Sequence, residues 1–172
     1  MNLLILAGVI ALKGATVYPA SSAPLENATV LIIGNQIVQV GTSVSVPASA
    51  HQIDVTGKIV TPGFMHAATG LGLIEVAAEP SANDMEQAPW QGARRYLRAA
   101  YSVRDAFNPR STLIPIARAS GITHAVVVPS SAVVSGYGSL VTLSGASADA
   151  SVQRANLAIY ATLGWPERDG VG

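Results

Sequence analysis

The amino-acid sequence predicts an α/β protein with an all-β N-terminal part. Two observations predict it. Between residues 9 and 60, short runs rich in β-branched side chains alternate with turn residues, as in a small strand-built unit. Beyond Pro62-Gly63, nearly uncharged strand-like runs flank a stretch with helical period, and strand, crossover helix and strand in that order imply a parallel sheet with right-handed connections.

Taken in order, residues 10–18, 28–33, 36–40 and 51–54 are the first strand candidates. Gly34-Asn35 separates two of them as a two-residue hairpin turn, since both residue types tolerate positive φ. Gly57-Lys58 marks another turn before Ile59-Val60. Residues 64–76 read as a fully buried strand and the loop that leaves it. Residues 79–109 are polar and broken by Pro80, Pro89 and Pro109, with a helix expected over 91–100. Residues 109–120 have a helical period and meet Gly121, a C-terminal stop; Pro115 fits only near the first turn. Residues 122–128 and 139–143 follow as strands, and 151–163 as a helix. Only about three strands of the parallel type are visible, whereas a closed barrel of alternating strands and helices needs eight.

Ten basic and ten acidic residues give a net charge of zero, which removes the electrostatic reason to expect nucleic acid or an anionic membrane as partner. Arg94, Arg95, Arg98 and Arg104 are flanked by Asp84, Glu86 and Asp105 and read as a solvated helix face. Charged residues make up only 12% of the chain, against about 25% in ordinary soluble domains. So little charge implies either extra area buried against a partner or a piece of something larger. With no cysteine, disulfides, thiolate metal sites and a cysteine nucleophile are excluded. Residues 1–12 are apolar, lack a basic leader and are too short to span a bilayer, so they read as a first strand rather than the remnant of an export signal; a cytoplasmic location is slightly favoured.

Several stretches together resemble the amidohydrolase superfamily, and most closely its imidazolonepropionase-like members. Lys13-Gly14-Ala15-Thr16-Val17-Tyr18, Glu26-Asn27-Ala28-Thr29-Val30-Leu31-Ile32 and Gln36-Ile37-Val38-Gln39-Val40-Gly41 look like that family's first three strands. The run Ile53-Asp54-Val55-Thr56-Gly57-Lys58-Ile59-Val60-Thr61-Pro62-Gly63-Phe64-Met65 is the most specific part. Asp105-Ala106-Phe107-Asn108-Pro109, Ala117-Arg118-Ala119-Ser120-Gly121-Ile122-Thr123 and Val128-Pro129-Ser130-Ser131 also resemble it. The resemblance implies a β-sandwich subdomain over residues 1–61, then a partial (β/α) TIM-like barrel, its first about three strands, over 62–172.

In that family the Pro-Gly pair precedes a strand whose His-x-His binds zinc or another divalent metal. The register set by Pro62-Gly63 puts Ala68 and Gly70 at the two histidine positions and His66 where the family usually has Asp. Neither Ala nor Gly has a lone pair for a metal, so the expected catalytic and metal residues of this chain are none, with His66 the one weak candidate ligand. A metal is needed because it lowers the pKa of water from about 15.7 to roughly 7 and polarises the scissile carbonyl. The implied function is an amidohydrolase-like protein acting on non-peptide C–N bonds that is inactive alone and completed by a second polypeptide. The alternative is a non-catalytic structural or regulatory subunit that forms a homo-oligomer or docks on an active amidohydrolase.

Other signals are weaker. His51 lies in the all-β part and His124 at the start of its strand, away from the strand ends where barrel sites cluster. Gly136-Tyr137-Gly138-Ser139 reads as a tight loop between strands. Ser130, Ser131 and Ser135 have no oriented base to make them nucleophiles. Glu75, Glu79, Asp84 and Glu86 lack calcium-loop spacing, and Trp90 and Trp165 read as packing anchors.

Overall fold

A computed structural model describes residues 8–85, 97–130 and 133–162. The chain divides into two compact units, Met1–Pro62 and Gly63–Gly172.

The first unit is a five-stranded mixed sheet. Its strands are β1 (Val9–Val17), β2 (Leu25–Ile33), β3 (Gln36–Gly41), β4 (His51–Asp54) and β5 (Ile59–Val60), in the order β3-β2-β1-β4 with β5 also on β1. β1–β2 and β2–β3 pair antiparallel, whereas β4 and β5 run parallel to β1. Ile33 pairs with Gln36 across the Gly34-Asn35 turn. Gly34 alone of the two has positive φ, 63°, which is the II′ pattern that matches strand twist. Ala15, Val17, Ala28 and Val30 form the buried core of this unit, with Leu12, Leu25 and Ile32 packed on it.

The second unit is a four-stranded sheet in the order β6-β7-β8-β9, made of β6 (Phe64–Thr69), β7 (Ile122–Val127), β8 (Val134–Thr142) and β9 (Val152–Ala161). Among the described residues a 3-10 turn (Pro80–Ala82) and two α-helices, α1 (Val103–Ala106) and α2 (Leu113–Ala119), lie between β6 and β7; a further helix, α3 (Ala148–Ser151), precedes β9. The fold is therefore mostly sheet with few helices.

α2 shows why its sequence stops where it does. Pro115 is the third helical residue, where its missing N–H has no intrahelical partner to lose. Gly121, at φ 85°, follows the cap residue Ser120 and donates to the Arg118 carbonyl at 2.9 Å. Ile114 is the buried face of the helix. With Val103, Phe107, Leu73, Met85, Ala125, Val127, Val141 and Leu143 it forms the core of the unit. Each fully buried side chain of this size contributes roughly 1.5–3 kcal/mol.

Four expectations are corrected. The parallel sheet holds only for β6–β7; β8 is antiparallel to β7 and β9 to β8. The connection from Val127 to Val134 is too short for a crossover, so β8 folds straight back. Residues 152–161 are strand β9 and not helix, because antiparallel pairing with β8, from Val152 opposite Val141 to Ala161 opposite Val134, wins over the local Ala-rich run. β6 is not buried but exposed along nearly its whole length, since it is the edge of its sheet. Gly136-Tyr137-Gly138-Ser139 lies within β8 rather than in a loop. The helix expected over 91–100 falls mostly outside the described residues; Leu97 instead bridges Val134.

Candidate functional site

The strand that would carry a metal site is β6. His66 pairs with Ala125 of β7, and Met65 with His124. Between His66 and Thr69 the register slips, three residue steps of β6 against two of β7, so strict alternation does not run through Ala67 and Ala68. The His66 Nδ1 accepts the Ala68 N–H at 3.4 Å, which engages one of its two ring nitrogens within its own strand. Ala68 is exposed and presents a methyl group. At Gly70 an added Cβ would come 3.3 Å from Ile74 Cδ1 and close against Met85 Sδ. The room a ligand would need at that position is thus filled by a thioether.

The segment after β6 folds over the strand end. The Gly70 carbonyl accepts from Leu73 N at 2.9 Å, the Leu73 carbonyl from Asp84 N at 2.8 Å, and Glu75 N donates to the Ala82 carbonyl at 2.9 Å. Its carboxylates are engaged separately. Glu75 accepts from Asn108 Nδ2 at 3.2 Å and from Thr112 N at 3.3 Å. Glu79 accepts from the hydroxyl and N–H of Ser81, and these hydrogen bonds hold its carboxyl below the usual range. Among the described residues, no three of His, Cys, Asp and Glu gather where they could hold a metal ion. Glu86 lies outside them.

His124, at the opposite end of the sheet from the β6–loop junction, shares a 3.0 Å hydrogen bond with Thr123 Oγ1. His51 opens β4 in the first unit and is exposed. Among the described residues of the second unit, His66 is joined by no second and third donor, and the donor set on β6 does not fit a bound divalent metal.

Arg98 differs from its expected place on a solvated face. It is partly buried, its Nη1 donates to the Met85 carbonyl, and its guanidinium lies 4.4 Å from the centre of the Tyr101 ring. Tyr101 donates to the Asp84 carbonyl at 3.2 Å, and burial, opposed by Arg98, pushes its phenol up to about 12. The three-residue spacing of Arg98 and Tyr101 was the only sequence signal for this pair. Arg94, Arg95, Trp90, Ser131 and Trp165 lie outside the described residues. In the first unit, an open cavity of about 580 Å³ is lined by Lys13, Thr29, Gln52 and Asp54 among others. Lys13 Nζ donates to Gln52 Oε1 at 3.3 Å, and Asp54 Oδ1 accepts from Thr56. This is a polar sheet surface on which the Asp54 carboxylate is engaged by Thr56 of the turn that follows its own strand.

No protein-family profile matches the chain, and no curated protein does. Solved structures do. An amidohydrolase from Thermotoga maritima MSB8 is 28% identical, with a TM-score of 0.76 over 91% of this chain and 39% of that one. A prolidase complexed with N-methylphosphonate-L-proline is 23% identical (TM-score 0.46, 69% of this chain and 25% of that one). Molinate hydrolase is 21% identical (TM-score 0.42, 72% and 24%). The Thermotoga structure, an amidohydrolase matched over part of its length, supports the amidohydrolase superfamily. The chain spans 39% of the Thermotoga protein.

Proposed function

We propose that this polypeptide is an amidohydrolase-type chain of the imidazolonepropionase-like kind that does not hydrolyse on its own and is completed by a second polypeptide. In this reading residues 1–61 are the β-sandwich subdomain and 62–172 the opening of a (β/α) barrel. Amidohydrolases are typically metal-dependent; a bound divalent ion would supply an activated water and polarise the carbonyl of a non-peptide C–N bond. The observation that carries the reading is the pair Ala68 and Gly70, which give no electron pair where the family's strand has two imidazoles. His66 alone falls short of the three or four ligands a stable site needs. The missing ligands would come from the partner.

The test is metal analysis of the purified 172-residue chain together with hydrolysis assays on cyclic amides and imides. Less than a stoichiometric trace of zinc, with no turnover, is expected. One bound equivalent of zinc with chelator-sensitive hydrolysis sinks the reading. A second reading, a non-catalytic subunit docking on an active amidohydrolase, draws support from the exposed apolar side chains of β6, Phe64 and Met65.

A further inference from the structure

The two edges of the second sheet are built differently. β9, at one edge, carries Arg154 and a bulge: Gly138 and Leu140 of β8 face Ala158 and Arg154, two residue steps against four, and Asn156 inside that bulge has φ 51°. Charge and bulging are the usual devices by which an edge strand refuses a neighbour. β6, at the other edge, also slips by one residue against β7 between His66 and Thr69, but it has no charged residue, no proline and no positive φ.

β6 is also bare on both faces. Phe64 and Met65 are adjacent, so their side chains leave opposite faces of the strand, and they are 61% and 60% exposed. A strand free of charge on both faces has the composition of an interior strand, covered above and below and paired on both sides. Simple edge pairing would leave one or both of these side chains in water.

Resting on the reading of a chain completed by another polypeptide, we infer that the free edge of β6 is the docking surface for an extended uncharged strand. That strand belongs to a second polypeptide carrying the part of the amidohydrolase fold that this chain does not span. The matched Thermotoga structure has the greater part of its length outside the region this chain covers. A donated strand pairs with the open backbone groups of β6, and the layers that accompany it cover Phe64 and Met65. β9, defended by its bulge and Arg154, stays free.

The experiment places a photocrosslinking amino acid at position 67 in the full chain, in cells that make the protein, with an identical probe at Ile159 on β9 as comparison. Expected is an adduct at position 67 whose partner sequence aligns with the uncovered part of the Thermotoga amidohydrolase, with little or none from position 159. Introducing Met65→Glu into the position-67 probe chain removes the adduct, while circular dichroism and a cooperative melt show that the fold persists. If that variant fails to fold, hydrogen exchange of the Phe64–Thr69 amides with and without the crosslinked partner reads the same contact. An adduct with a second copy, equal adducts at 67 and 159, or no adduct overturns the inference. Zinc and chelator-sensitive hydrolysis in the chain alone would instead sink the functional reading, so the two failures are distinct.

Discussion

The Glu75 carboxylate accepts the backbone N–H of Thr112 at 3.3 Å and its hydroxyl at 3.5 Å, across 37 positions of sequence. Thr112 is the N-cap of α2 but makes no side-chain capping bond of its own. Glu75 thus takes toward the N-cap N–H the part that the carboxylate of a capping box takes from within a helix, and it ties the segment after β6 to α2.

Glu75→Ala removes acceptors for Thr112 and for the Asn108 amide at once. The expected loss is about 1–2 kcal/mol, the range for a missing cap with its neighbours left wet. Urea unfolding of the variant against wild type measures it. Glu75→Gln keeps one oxygen and should lose less; equal stability of the alanine variant and wild type would show that the contact is idle.

Asp54 supplies a pH-dependent element in the first unit. Its carboxyl is held below its ordinary value of 3.8, first by the Thr56 hydroxyl at 2.6 Å and then by the Thr56 N–H at 2.9 Å. A depressed folded pKa contributes stability above the ordinary value, and that contribution is lost as pH falls through the folded one. The melting temperatures of wild type and Asp54→Asn should therefore differ at neutral pH and converge in acid below about pH 3.8. Parallel curves down to the lowest pH would remove Asp54 as the cause.

Much of this organisation was legible in the sequence, and the misreadings have local causes. β1 to β5 stood out because β-branched runs and the Gly34 turn depend on neighbours in sequence. The sequence reads β9 as helix because Ala155 and Ala158 have helical spacing, whereas the antiparallel partner β8 that decides the matter is remote. The apolar run of β6 told its composition but not its place at the edge. Arg98 looked like one of a row of solvated cations because the Tyr101 ring beneath it is a tertiary contact. At the candidate site, the identities of His66, Ala68 and Gly70 were readable at once. The hydrogen bond from Ala68 to His66 and the Met85 thioether against Gly70 were not, since each depends on how the chain turns after β6.

Ser139 tests how the second core tolerates a polar atom. It is fully buried in β8, and its Oγ has no hydrogen-bond partner among the described residues. An unmade hydrogen bond in such a place costs about 1–3 kcal/mol. Ser139→Ala keeps the volume nearly constant and removes the orphan, so it should be neutral or stabilising by up to about 1 kcal/mol in denaturant unfolding. A clear destabilisation would mean that the hydroxyl has a partner in the folded protein.

Restoring histidines is the sharpest test of the donor shortage on β6. Ala68→His needs no new space, because Ala68 is exposed. Gly70→His must displace the Met85 thioether that an added Cβ would strike, so it is best made together with Met85→Ala. The triple variant puts two imidazoles beside His66 and should bind cobalt or zinc measurably more tightly than the parent, as followed by the visible spectrum of bound cobalt. Hydrolysis should stay undetectable, because two or three ligands on one strand leave the ion without the surrounding groups that orient it and its water. Unchanged cobalt binding would mean that these positions do not face a common point, and the correspondence of Ala68 and Gly70 with the family's ligand pair would fall.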